Sequence, residues 1–110
     1  MFLEDRHGLH RGMSLRITHL GSGSQGNSTL LETPTVRVLI DQGFSGAGLE
    51  RRLARMDLAA KDIDAILVTH QHGDHGGGAK QAQKRWGIPV YANPRTAEEL
   101  GLLPELWRPF

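Results

Sequence analysis

The sequence predicts an α/β fold, a mixed β-sheet with helices packed on one face. Three observations predict it. Two β-rich runs, residues 29–33 and 36–40, flank Pro34-Thr35, the pattern of an antiparallel hairpin around a short turn. Ala65-Ile66-Leu67-Val68 is a continuous apolar run, as expected of a strand buried on both faces. Beyond residue 41, helical periodicity alternates with short strand-like runs, so the later strands are joined by crossovers rather than tight turns. A chain of 110 residues holds one domain at most, with a modest core.

The elements follow in order. Residues 1–12 are polar, with His7 and His10 among charges, and read as a flexible tail whose histidines are solvated. Residues 13–110 form the folded part. Leu15-Arg16-Ile17-Thr18-His19-Leu20 alternates apolar and polar positions and predicts a strand; its His19 reads as a surface residue. Residues 21–28 are rich in Gly and Ser and predict a loop. The hairpin strands come next, and Asp41-Gln42-Gly43 ends the second of them. Leu49, Leu53 and Met56 then recur at helical spacing with Glu50, Arg51, Arg52 and Arg55 between them, which predicts an amphipathic helix. After the apolar run at 65–68, a helix is predicted over residues 77–86, with Ala79, Ala82 and Trp86 inward, Gly87 just past its end and Pro89 blocking continuation. Residues 88–92 predict a short strand. Residues 94–100 predict a helix that starts at Pro94 and stops at Gly101. Residues 102–110 carry no clear pattern. The order is β-β-β-α-β-α-β-α.

Composition narrows the function classes. There is no cysteine, which excludes disulfides, thiolate zinc sites and a cysteine nucleophile. The formal charge of +1 does not by itself argue for a nucleic-acid partner. No apolar run approaches the roughly 20 residues that span a bilayer, so no membrane partner is expected. The first thirty residues lack an apolar signal-peptide core, so the cytoplasm is the expected compartment.

Chemistry concentrates in His70-Gln71-His72-Gly73-Asp74-His75. At this composition, an H-x-H-x-D-H match arises by chance in roughly one such chain in a thousand. That places the window above the stray-histidine explanation that suffices for His19. In an extended chain, residues two apart point the same way, so His70 and His72 present two imidazoles to one ion. Asp74 and His75 follow the turn at Gly73 and offer an oxygen and a nitrogen to a second. Neutral imidazole and carboxylate suit Zn²⁺, and also Mn²⁺ or Fe²⁺. Two such ions share a hydroxide able to attack an ester or phosphodiester. Gly76-Gly77-Gly78 lets the backbone pass close to the site. The cluster also follows a buried strand, at the end where open α/β sheets keep their ligand sites.

The motif resembles that of the metallo-β-lactamase superfamily, whose fold is an αββα sandwich. The resemblance implies that His70 and His72 serve one metal and Asp74 and His75 the other, with two divalent ions (Zn or Mn) in the complete enzyme. It implies that Asp41 supports the site from behind; the plainer reading of Asp41 is a strand-end turn residue. Gly21-Ser22-Gly23-Ser24-Gln25-Gly26-Asn27-Ser28, Asp62-Ile63-Asp64-Ala65-Ile66-Leu67-Val68-Thr69-His70 and Gly87-Ile88-Pro89-Val90-Tyr91-Ala92 are similar to the YycJ/WalJ-type branch, which is associated with metal-dependent exonuclease action on DNA. The likeness runs from about Ser14 to Leu100.

A rival lies in the glycine loop. Gly21-x-Gly23-x-x-Gly26 fits a dinucleotide fingerprint, with Asp41 where a ribose-binding acid would fall. That fingerprint needs a helix opening at its third glycine, whereas residues 29–33 read as strand. The loop is otherwise a flexible turn, or a lining of the metal cleft whose N–H groups meet a phosphate.

The ligand set is incomplete. The family's site also needs later histidines and a bridging aspartate, yet no His or Asp follows His75; the remaining acids are Glu98, Glu99 and Glu105. The sandwich is also about twice this length, so one half leaves an apolar sheet face and edge in water. The chain therefore reads as the N-terminal portion of a metal-dependent hydrolase, half of the αββα sandwich. The expected substrate is DNA or another phosphodiester, and Asp74 orients or deprotonates the attacking water. The alternatives are a same-fold hydrolase of thioesters or other small esters, and an inactive truncated half-domain.

Overall fold

A computed structural model of the chain describes residues 2–3, 14–23, 26–70 and 72–110; the side chains of Phe2, Leu3 and Asp74 also lie outside the description. The strands form one mixed sheet in sequence order: β1 (Phe2–Leu3), β2 (Leu15–Gly21), β3 (Ser28–Glu32), β4 (Arg37–Ile40), β5 (Ala65–Leu67), β6 (Val90–Tyr91) and β7 (Trp107–Arg108). The first four pair antiparallel, and β4 through β7 pair parallel. The change of direction follows from the connections. The chain between β3 and β4 is a short turn, closed by Thr33 N–H to Val36 O at 2.8 Å. Each later connection carries a helix, α1 (Gly46–Ala54), α3 (Ala79–Trp86) or α4 (Pro94–Leu100).

The helices start and stop where their end residues dictate. Ser45 caps α1 by accepting from Gly48 N–H at 3.1 Å, and Arg51 and Arg52 sit in its last turn, where cations complement the helix dipole. Asn93 caps α4 through Thr96 N–H at 2.8 Å, with Pro94 in its first turn. Gly87 and Gly101 end α3 and α4 in the left-handed conformation, at φ 65° and 64°.

Register shows where the core sits. Leu30, Leu39, Ile66, Val90 and Trp107 are partners in turn across β3 to β7, and all but Trp107 are fully buried. Leu49 and Leu53 of α1, Ala79 and Ala82 of α3 and Ala97 of α4 belong to the same cluster. The helices therefore cover one face, as the sequence predicts. The opposite face behaves differently. Leu31, Val38, Ala65 and Leu67 stay half-exposed, and Tyr91 is exposed. The expectation that residues 65–68 are buried on both faces is corrected on this point: no second layer packs on that face among the described residues.

Other departures are local. Phe2–Leu3 of the expected tail pair with Arg16 and Leu15 as β1, while the rest of that tail, with His7 and His10, lies outside the described residues. The predicted helix over 77–86 begins at Ala79, because a separate one-turn helix α2 (Gly73–Gly76) precedes it. The unassigned C-terminal stretch supplies β7, held to β6 and by Trp107 Nε1–H donating to Ala92 O at 2.9 Å. No helix among the described residues is long and apolar enough to cross a membrane.

Candidate metal centre

Two adjacent parallel strands deliver the centre. At the end of β4 the chain turns through Asp41, whose φ of 65° is tolerated by Asp better than by most residues. Asp41 N–H still donates to Leu67 O at 2.7 Å, which fixes Asp41 beside the end of β5. Past β5 come Val68, Thr69 and His70. The chain then enters α2 at His72, whose carbonyl accepts from His75 and Gly76 N–H, both at 2.9 Å. That single turn swings His75 back over Asp41.

Asp41 is 8% exposed, and its carboxylate is fully engaged. Oδ1 accepts from Thr69 N–H at 2.7 Å, both oxygens lie 2.9 Å from Thr69 Oγ1, and Oδ2 accepts from His75 Nδ1 at 2.8 Å. Thr69 Oγ1 also lies 3.0 Å from His70 Nδ1. The protons in this chain have one consistent arrangement. A carboxylate only accepts, so the single Thr69 hydroxyl proton goes to Asp41 and Thr69 Oγ1 accepts from His70 Nδ1–H. His75 Nδ1–H likewise donates to Asp41. With Nδ1 so engaged, Nε2 is the nitrogen that each neutral ring would offer to a metal.

The His70 ring meets both of the other imidazoles. The His70 ring centroid lies 3.9 Å from that of His75 and 4.9 Å from that of His72, the latter pair near-perpendicular. One ligand atom from each of Asp41, His70 and His75 falls within 4.8 Å of the other two. This donor set fits a divalent ion: two imidazoles oriented through Nδ1, His75 by Asp41 and His70 by Thr69. Of the predicted ligands, His70 and His75 join Asp41 in this group; the exposed His72 meets the His70 ring edge-on and lies outside the group. The Asp74 side chain lies outside the described residues. His19 is elsewhere, bonded to Thr29 Oγ1 across β2 and β3 at 3.0 Å.

Thr69 is the residue the motif reading missed. Its only signal is its place between the apolar run and His70. Thr69→Val keeps the volume but removes the hydroxyl that links Asp41 to His70. Metal affinity is expected to fall about tenfold, with little change in melting temperature, measured by competition against a chromophoric chelator.

The neighbouring loops serve this frame. Gln42 N–H donates to His75 O at 2.7 Å, and Gly78 N–H to Gln42 O at 2.9 Å. Gly76-Gly77-Gly78 permits close packing more than approach to an ion: a Cβ on Gly76 would lie 2.7 Å from Leu100 Cδ1, and one on Gly78 would overlap Phe44 O. The glycine loop packs on the other side of Phe44, where a Cβ on Gly21 or Gly26 would lie 2.6 or 2.5 Å from its ring. Asn27 bonds both backbone groups of Gly23, and its carbonyl accepts from Gly43 N–H at 3.1 Å. The element after Gly26 is strand β3, so no helix opens at the third glycine and the dinucleotide reading fails on geometry.

Residues 21–108 match the family model of the metallo-beta-lactamase superfamily. The chain is 43% identical over 77 residues to the exodeoxyribonuclease WalJ of Streptococcus pneumoniae, covering 70% of this chain and 29% of that protein. It is 38% identical over 84 residues to the exodeoxyribonuclease YycJ of Bacillus anthracis, covering 76% and 32%. Among solved structures, a Cronobacter sakazakii metallo-beta-lactamase superposes with a TM-score of 0.61 at 29% identity, over 80% of this chain and 34% of that one. The chain thus spans about three-tenths of the length of these relatives.

Proposed function

The chain belongs to the metallo-beta-lactamase superfamily, and from that membership we propose that it carries the N-terminal, metal-binding half of a hydrolase that cleaves phosphodiester bonds in DNA. The observation that carries the reading is the hydrogen-bonded chain His75–Asp41–Thr69–His70, which engages Nδ1 of both rings and leaves Nε2 as the nitrogen each would offer a metal. Support for DNA comes from the relatives named as exodeoxyribonucleases. Action in the cytoplasm belongs to the same proposal and draws on the same relatives.

In this proposal His70 and His72 hold one ion, and Asp74 and His75 a second, either Zn²⁺ or Mn²⁺. Bound there, a divalent ion supplies Lewis acidity toward a phosphoryl oxygen and makes water a better nucleophile at neutral pH. The chain's own residues do the positioning. Asp41 fixes the His75 ring, Thr69 fixes the His70 ring, and Gln42 holds the backbone of His75. Asp74 orients the attacking water or takes its proton. Residues 76–110 contain no His or Asp, so the window from His70 to His75 offers two ligand-type side chains per ion. Catalytic zinc sites have three protein ligands, and the proposal draws the remainder from outside these residues.

The test uses the complete gene product. Metal per chain is measured after dialysis against Zn²⁺ or Mn²⁺, alongside His72→Ala. Release of nucleotides from end-labelled DNA is followed before and after chelation, with thioester hydrolysis in parallel. The expected result is bound metal that His72→Ala lowers, and DNA degradation that stops on chelation and returns with the ion. Thioester hydrolysis without DNA degradation would transfer the site to the ester-cleaving alternative. Bound metal with turnover of neither substrate would overturn the hydrolase reading.

A further inference from the structure

Charge is strongly polarised outside the metal centre. α1 with its C-terminal Arg55, together with α3, carries six of the thirteen Lys and Arg residues and one of the twelve acids, a net charge of +5. The rest of the chain carries seven cations and eleven acids, a net charge of −4. The two helices are neighbours: Gly46 N–H donates to Gln81 Oε1 at 2.6 Å, and Arg85 lies 3.6 Å from Glu50. A cleft of about 580 Å³ opens here, lined by Ser45, Gly77, Lys80, Gln81, Lys84 and Arg85. Gly46 lets Arg85 lie against the start of α1, since a Cβ there would overlap Arg85 Nη1.

The cations in the cleft are available. Lys80 and Lys84 are exposed, one helical turn apart, and pair with no carboxylate among the described residues. The Arg85–Glu50 pair is long, and both side chains are about half exposed, so exchange of Glu50 for another anion costs little. The cleft is also tied to the metal loop. Gly77 in its wall lies two residues past His75, and Gly78, Gln42 and His75 are linked by backbone hydrogen bonds of 2.9 and 2.7 Å.

We infer that this cleft is a track for the sugar–phosphate backbone of the DNA strand, with Lys80, Lys84 and Arg85 each neutralising a phosphate beside the metal centre. The inference rests on the phosphodiesterase reading above. Lys80 and Lys84 act as point charges, and Arg85 offers its planar fork to two phosphate oxygens. Contacts of these three cations to phosphate carry no sequence information, so their contribution is independent of sequence and sensitive to salt.

The test measures binding of the metal-loaded complete gene product to a short phosphorothioate-linked DNA strand, which resists cleavage, over a range of salt concentrations. The triple variant Lys80→Gln, Lys84→Gln, Arg85→Gln is compared with wild type and with Lys61→Gln, an exposed cation outside the two helices. The triple variant is expected to bind about tenfold or more weakly and to flatten the slope of log affinity against log salt by about 2–3, at roughly 0.7–0.9 per phosphate contact. Lys61→Gln is expected to match wild type. If the triple variant fails to fold, Lys84→Gln alone is expected to lower the slope by about 0.7–0.9. Equal affinity and slope in a variant that folds, with DNA still degraded by wild type, overturn the track and leave the phosphodiesterase reading standing. A wild type that neither binds nor degrades DNA overturns both.

Discussion

Asp41→Asn is expected to keep the fold and weaken metal retention about 10–100-fold, with DNA degradation falling at least as far. Thr69 N–H is a fixed backbone donor at 2.7 Å from Oδ1, so the single oxygen of the substituted amide must face it. The amide NH₂ then occupies the place of Oδ2, which accepts from His75 Nδ1 in the native chain. Two donors cannot face each other, so His75 shifts its proton to Nε2 and Nδ1 becomes the acceptor. The nitrogen needed by the ion is then protonated. A melting curve near that of wild type, a weaker metal dissociation constant, and ¹⁵N shifts showing the switched tautomer of His75 would establish the mechanism. Unchanged metal affinity would show that Asp41 is a strand-end turn residue and nothing more.

The same proton chain shows what a sequence can and cannot carry about a site. The window from His70 to His75 is legible because ligand types at alternate and adjacent positions are rare together and have one chemical use. Asp41 is legible only through resemblance, since an Asp before Gln-Gly at a strand end has an ordinary turn explanation. Thr69 is silent because a hydroxyl carries no signal until its partners are known. Those partners are 28 residues back on the adjacent strand and one residue ahead. The cationic cleft was hidden for a similar reason: a net charge of +1 conceals a +5 pair of helices set against a −4 remainder.

In the fold, elements with a period or a punctuating residue were legible. The hairpin is marked by two β-rich runs around Pro34-Thr35, and α3 and α4 stop at glycines that take the left-handed conformation. α2 was not, because four residues are too few to show a helical period and three of the four are poor helix formers. β7 was not, because two residues in extended form have no pattern of their own; pairing to Val90 and Tyr91 makes them a strand. The apolar run at 65–68 was legible as a strand but misleading about its second face. Composition alone does not say whether a covering layer lies within the same stretch of chain.

That second face leads to the other large expected effect. In the 110-residue chain, Ile66→Ala is expected to lower stability by about 2–5 kcal/mol, a large part of the roughly 5–15 kcal/mol typical of a domain. Ile66 is fully buried, flanked in register by Leu39 and Val90, and lies under the helix layer. Strands pinned on both sides cannot close the space its side chain leaves. Leu31→Ala deletes the same number of carbons from the opposite face, where Leu31 is half-exposed beside Val38. It is expected to cost roughly half as much or less, since part of that surface never left water. Urea midpoints at equal m-values measure both. A Leu31→Ala loss as large as that of Ile66→Ala would mean that a second layer covers this face in solution. If that layer were another copy of the chain, the midpoint would rise with protein concentration.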